Sequence, residues 1–354
     1  MIITAKFDSK WGDEVKKPTA MDLFAGAGGL TTGLKLAGFR VCAAVELDQR
    51  AAATFRANHP RVHLEPSDIR GVKCAQLMKT LGLKKGELDL LAGCPPCQGF
   101  SRLSTRNGEA LKDDRNDLVF EFVRFVRAFL PKAVMFENVP GLMRNERFRE
   151  VEQQLRALGY SIETNVLDAA DYGVPQRRRR LIVLGARDRR RLSWAEPCNE
   201  HRTVREAFTV VTARPGTSGD PIHDLPVQHS EQVQALIRAV PEDGGGRLDL
   251  PQDMRLECHK RTNGFRDVYG RMRWDAPSPT ITSGCVNPSK GRFLHPTEHR
   301  AITLREAAIL QGFPVDYVFL PEHGKGAIAA MIGNALPPPF IAALAKAIRE
   351  MLAR

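Results

Sequence analysis

Long apolar runs are missing from this 354-residue sequence, and no stretch reads as long enough to cross a bilayer. The opening MIITAKFDSKWGDEVKK is charged early and has no apolar centre, so no signal peptide or membrane association is expected and the cytoplasm is the expected compartment. Cysteine is sparse. Its count of 7 is odd and scattered, which disfavours a disulfide framework and fits reduced thiols. Internal repeats and low-complexity segments are also missing. An excess of one charge is lacking in one region: between Arg191 and His295, 14 basic side chains meet 13 acidic ones, whereas the rest of the chain holds 38 against 28. The whole carries a formal net charge of +11, which permits a polyanionic partner without identifying one.

What the first half does have is alternation. TAMDLF (19–24), VCAAVEL (41–47), LDLLAG (88–93) and AVMFEN (133–138) read as strands. Helices are expected over 30–37, 48–58 and, capped by Asn116 or Asp117, through Phe122, Phe125 and Phe129 to a stop at Pro131. Such alternation implies an α/β fold on a parallel, doubly wound sheet. SIETNVL (161–167) and RLIVLGA (180–186) are further strands. Beyond Trp194 the chain turns irregular, with runs such as RPGTSGDP and PEDGGG, and a separate loop-rich module is expected there. Helical periodicity returns at TLREAAILQGFP (303–314), AIAAMI (327–332) and about 340–352, so the two ends are expected to share one domain.

Two motifs carry chemistry. In DLFAGAGGL, Gly26, Gly28 and Gly29 lie between a strand and a helix, where glycine lets backbone approach a ligand and helix amides face it. The dinucleotide pattern would require glycine at position 31, which is Thr31, so a nicotinamide cofactor is disfavoured. Glu46, ending the next strand, is suited to a ribose, and Asp68 to an adenine amino group. In GCPPCQGFS, Cys97 follows Pro95 and Pro96 at a strand end, where doubly wound folds place their chemistry. The Cys94–Cys97 pair is open to four readings: a redox couple, half of a zinc site, a nucleophile with a bystander, or packed thiols. No second C-x-x-C occurs; Cys198 with His201 and Cys258 with His259 are loose metal candidates, and no metal is expected. Glu137, ending the neighbouring strand, opens toward the same cleft, where a carboxylic acid can donate to a ring nitrogen. Cysteine, glutamate and a nucleoside-binding loop together read as nucleophilic catalysis on a base.

DLFAGAGGL, GCPPCQGFS, FENVPGL, DYGVPQRRRRLIVLG, TLREAAILQGFP and MIGNALPPP occur in the order of the motif series of DNA (cytosine-5)-methyltransferases, which the chain resembles over nearly its whole length. The resemblance implies a Rossmann-like S-adenosylmethionine-dependent domain (18–190 and 296–354), a target-recognition domain inserted at 191–295, and an N-terminal extension (1–17). It implies S-adenosylmethionine at Phe24, the glycine loop, Glu46, Asp68, Pro95, Leu118 and Asn334, with S-adenosylhomocysteine as product. Cys97 would add to C6 of cytosine, Glu137 would engage N3, and Arg178 and Arg180 would orient the base. A flipped-out cytosine in duplex DNA is the implied substrate. Residues 101–116 would close over the DNA, and Gln98, Ser101, Arg271, Arg273 and Thr280 are the expected contacts. A compact prokaryotic or phage enzyme is implied, acting as a monomer, either beside a restriction endonuclease or alone. An RNA cytosine methyltransferase and a catalytically silent DNA-binding protein are the alternatives. Ile281, where the pattern has leucine, and the arginine-rich QRRRR are departures.

Overall fold

The computed structural model describes residues 17–96, 117–188, 190, 192–211, 213–225, 228–256, 264 and 266–354. A seven-stranded sheet, ordered β3-β2-β1-β4-β5-β7-β6, forms its centre. The strands are β1 (Thr19–Leu23), β2 (Arg40–Val45), β3 (His63–Glu65), β4 (Leu90–Gly93), β5 (Ala133–Asn138), β6 (Ser161–Asp168) and β7 (Arg179–Ala186). The expected parallel pairing is found in β1 to β5, whereas β7 lies antiparallel to both β5 and β6. No crossover helix separates β6 from β7, so the chain can only return in the opposite direction.

The helices are α1 (Gly29–Leu36), α2 (Gln49–Asn58), α3 (Cys74–Leu81), α4 (Leu118–Phe129), α5 (Glu146–Ala157), α6 (Val204–Phe208), α7 (Glu231–Ala239), α8 (Leu304–Leu310), α9 (Gly324–Asn334) and α10 (Pro338–Ala353). One sheet face, carrying Ala20, Ala44, Ala92, Met135 and Ile182, packs against α1 and α10. The other, carrying Met21, Leu23, Leu91, Val134, Phe136 and Val183, packs against α3, α4 and α5. Phe122, Phe125 and Phe129 are all buried in that second core, as their helical spacing predicts. The Asp117 side chain makes no cap bond; it pairs instead with Arg147 Nε at 2.8 Å, and Asn116 lies outside the described residues.

α10 lies along α1 at Gly33, where a Cβ would stand 2.5 Å from Ile341 Cβ. By length and composition the stretch Pro321–Ala353 would suffice to cross a membrane, contrary to the sequence expectation. It is interrupted between α9 and α10, and mostly buried inside the protein. The middle of the chain contributes two cores. Leu236, Ile237, Val240, Leu250, Val268, Tyr269, Leu294 and Ala301 form a small one of their own. Val204, Phe208, Met272, Ile281 and Phe293 instead join α8 and α9 in a shared core, so this region is anchored broadly on the C-terminal helices.

Candidate active site

The loop after β1 is held from several directions. The Gly26 amide donates to Glu46 Oε2 at 2.7 Å, and the Asp48 amide to Glu46 Oε1 at 2.7 Å. Glu46 is thereby aimed at the loop, although burial raises its pKa. Phe24 and Gly26 both have positive φ, 64° and 56°, and the Cβ position of Gly26 faces open space. Gly28 and Gly29 have a packing reason to be glycine. At Gly28, with φ of 99°, a Cβ would lie 2.6 Å from His59 Nε2; at Gly29 it would lie 2.7 Å from the Leu336 carbonyl. They let the protein close against the back of the loop, and only Gly26 opens outward.

That backing includes residues the sequence did not suggest. Lys35 Nζ lies 3.0 Å from His59 Nδ1; lysine only donates, so the ring hydrogen sits on Nε2, 3.3 Å from both the Gly28 carbonyl and Thr32 Oγ1. Burial, then the Lys35 charge, pushes His59 down to about 4, so the ring is neutral. The Tyr317 hydroxyl donates to the Ala27 carbonyl at 2.5 Å. Beneath the loop, Asp22 is fully buried, accepts from Thr31 Oγ1 at 2.7 Å, and is pushed by burial up to about 7.

The other expected cofactor residues are more scattered in character. Asp68 caps the turn Ile69–Gly71 and already pairs with Arg70 at 2.6 Å, which keeps its carboxyl low. The Pro95 carbonyl accepts from Asn138 Nδ2 at 3.1 Å. Leu118 packs partly on the α4 core, and Asn334 is exposed at the end of α9.

Strand register explains the catalytic edge. Asp22 pairs with Ala44 and Ala92, Ala92 with Met135, and Glu137 with Ile182. Side chains alternate along a strand, so Glu46, Asp22, Cys94, Glu137 and Arg180 share one face at one end of the sheet. Glu137 is buried and bonded to Arg180 Nε at 2.8 Å. Burial nonetheless raises its pKa, with Arg180 and Arg178 opposing. A carboxyl whose affinity for its proton is raised in this way is suited to give that proton to a base nitrogen.

Arg178 is buried beside Glu137. Its guanidinium donates to the Ile281 and Gly333 carbonyls, both at 2.9 Å, so it braces the cleft wall. Gln176 works beside it, accepting from the Ile281 amide at 2.9 Å and donating to Gln311 Oε1 at 2.7 Å. Cys97, Gln98, Ser101 and the rest of 101–116 lie outside the described residues.

Among the expected DNA contacts, Arg271 requires a correction. It is fully buried, donating to the carbonyls of Val240 (3.0 Å), Ile237 (2.9 Å), His295 (3.0 Å) and Glu298 (2.5 Å) and lying 2.9 Å from His299 Nδ1. Arg271 is the centre of a fold, and its donors do not face DNA. Arg273, two residues on, is exposed and lies against Gly244. The Thr280 hydroxyl donates to the Arg177 carbonyl at 2.7 Å, joining the middle region to the segment before β7. The loose zinc candidate does not assemble: the Cys198 thiol donates to the Glu200 carbonyl at 3.2 Å, His201 pairs with Asp171, and no metal-binding cluster occurs among the described residues. Cys258 and His259 lie outside them.

A glycine loop after β1, an acid after β2 and a buried acid at the end of β5 on this mixed sheet fit a Rossmann-like methyltransferase. Known proteins make the class narrower. The model of the C-5 cytosine-specific DNA methylase family matches residues 19–350. Type II methylase M.HgiDII of Herpetosiphon aurantiacus is 35% identical over 346 residues, 94% of this chain and 95% of that one. Type II methyltransferase M1.HphI of Haemophilus parahaemolyticus is 35% identical over 341 residues, 94% of this chain and 87% of its own. A solved structure of a chain encoded within an Escherichia coli prophage superposes with a TM-score of 0.74 at 25% identity, over 96% of this chain and all of that one. The chain therefore belongs to the C-5 cytosine-specific DNA methylase family. It is a DNA cytosine-5 methyltransferase that takes its methyl group from S-adenosylmethionine and acts on double-stranded DNA.

Proposed function

We propose that this enzyme methylates a cytosine extruded from a specific duplex sequence. It works as a monomer in the cytoplasm, either as modification partner of a restriction endonuclease or as a solitary enzyme. Residues 191–295 read the sequence, carried between catalytic segments 18–190 and 296–354, with 1–17 as an extension. The small separate core around Leu236 and Tyr269 supports that division.

The residues of the glycine loop fit the methyl donor. Gly26 leaves space where a Cβ would stand, and Glu46 is pinned by two amides with lone pairs remaining for ribose hydroxyls. Asp68 can take the adenine amino group once Arg70 yields one oxygen. S-adenosylmethionine supplies an electrophilic methyl group and leaves as S-adenosylhomocysteine.

Cys97, as thiolate, forms a bond to C6 of the flipped base while Glu137 delivers its proton to N3. C5 gains enamine character and takes the methyl. Loss of the C5 proton to a base, return of the N3 proton to Glu137 and expulsion of the Cys97 thiolate then restore the aromatic ring. Arg180 holds the Glu137 carboxyl through the cycle and stabilises it once ionised. Arg178 keeps the wall from Ile281 to Gly333 in place, next to Asn334. The observation that carries this reading is Glu137: a buried, raised carboxyl on Arg180, sharing a sheet edge with the cofactor loop.

The test is transfer of labelled methyl from S-adenosylmethionine to unmethylated genomic DNA by wild type and Cys97→Ala, with bisulfite sequencing of the product. Label at C5 of cytosine from the wild type alone supports the reading and yields the recognition sequence. Label on tRNA but not on DNA would overturn the substrate. Cofactor binding with no transfer at all would mark a silent DNA-binding protein.

A further inference from the structure

The first cysteine of GCPPCQ has no part in the chemistry above, yet the fold brings it to the catalytic carboxyl. β4 and β5 are parallel and pair Gly93 with Phe136, so the next residues, Cys94 and Glu137, stand side by side on the same face. The Cys94 amide is tied to the Leu23 carbonyl at 3.2 Å, which fixes where its side chain starts. The thiol packs on the core beside the Glu137 carboxyl. Two strands thus flank Glu137: β7, from which Arg180 Nε reaches it at 2.8 Å, and β4, which sets Cys94 at its side.

We propose that Cys94 is a positioning residue for Glu137, its S–H donor fixing the orientation of the carboxyl and setting the ease with which that carboxyl gives up its proton. This role rests on Glu137 acting as the proton donor to the base. The charged and titratable groups around the pair are Arg180 and Arg178, which favour the ionised carboxyl, and Asp22 on β1, which faces Cys94. Burial, with Glu137 and Asp22 nearby, pushes the thiol well above its ordinary value, so Cys94 stays protonated and serves only as a donor. A donor to a carboxylate stabilises the ionised form more than the neutral one.

The direction of every effect follows. In Cys94→Ala the donor is gone, so Glu137 holds its proton to higher pH. The basic limb of the kcat–pH profile then moves up by about half a unit. In Cys94→Ser a stronger donor of similar size replaces the thiol, and the limb moves down. Plateau kcat falls roughly two- to fivefold in the alanine variant through loss of orientation and recovers in the serine variant, with KM for DNA and cofactor unchanged in both. Profiles of wild type and both variants, measured with labelled S-adenosylmethionine and a cytosine-containing duplex, decide the matter. Opposite shifts of the two limbs establish the role; coincident limbs, or shifts in the same direction, overturn it and leave Cys94 as packing alone. An alanine variant that does not fold leaves the decision with serine, whose unshifted limb would also overturn it. A Glu137→Gln enzyme that keeps its full rate would refute the proton-donor reading, which separates that failure from a failure of Cys94.

Discussion

Arg271→Ala separates two meanings of a basic residue in a DNA-reading region. The arginine meets five acceptors within the small core near α7: the carbonyls of Val240, Ile237, His295 and Glu298, and His299 Nδ1. Removing it orphans buried acceptors that lost their water on folding, at roughly 1–3 kcal/mol for each left unsatisfied. The truncation also opens a cavity that admits water, which satisfies some of them, so the sum is not additive. A loss of about 4 kcal/mol is the expected size, comparable to breaking a buried charged network. The assay is urea unfolding of wild type, Arg271→Ala and Arg273→Ala, with proteolysis to locate any opened region. Arg271→Ala should unfold early or lose the 230–300 region to protease. Arg273→Ala, exposed, should keep its urea midpoint and lose DNA affinity more at low salt than at high. An Arg271→Ala protein with wild-type stability and only weakened DNA binding would refute this reasoning.

Gly28→Ala forces a side chain into φ of 99° and against His59 and Tyr317. It should cost about 3 kcal/mol in urea and weaken S-adenosylmethionine binding by calorimetry, and unchanged values of both would contradict the packing role. Acidification separates two buried groups of opposite sign. Asp22, raised to about 7, keeps a proton that the unfolded chain releases, so its contribution is full below about 3.8 and is lost as pH rises through about 7. Wild type should therefore gain about 2 kcal/mol relative to Asp22→Asn between pH 7 and pH 5. His59, held near 4, contributes fully above about 6.5 and loses its contribution as pH falls through about 4. Over the same interval wild type should lose about 2 kcal/mol relative to His59→Gln, read from urea midpoints; parallel pH curves would dispose of either claim.

The strands ending in Leu23, Gly93 and Asn138 were legible because short apolar runs between turn signals have few other uses, and the acid and glycine positions followed from them. α5 and α7 were not singled out. ERFREVEQQLRA buries only Phe148, Val151 and Leu155, and EQVQALIRA only Leu236 and Ile237, too little apolar surface to stand out in charged segments. The reversal of β7 follows from its short connection to β6, but its place between β5 and β6 rests on long-range pairing that no local pattern encodes. Arg271 and Arg273 differ for the same reason. The acceptors that swallow Arg271 come from the end of α7 and from 295–299, whereas Arg273 lies exposed beside Gly244. His59 and Tyr317 were illegible as site residues because their meaning lies in each other, 258 positions apart.

The hydroxyl of Tyr317 pins a carbonyl of the glycine loop 290 positions earlier, and α10 closes over α1. The loop of Phe24 and Gly26 is thus complete in sequence long before the residue that clasps it is added. A nascent chain that stops short of Tyr317 holds the glycine loop without its clasp. A truncation before position 317 is therefore expected to leave the loop loosely held even though every residue of the loop itself is present.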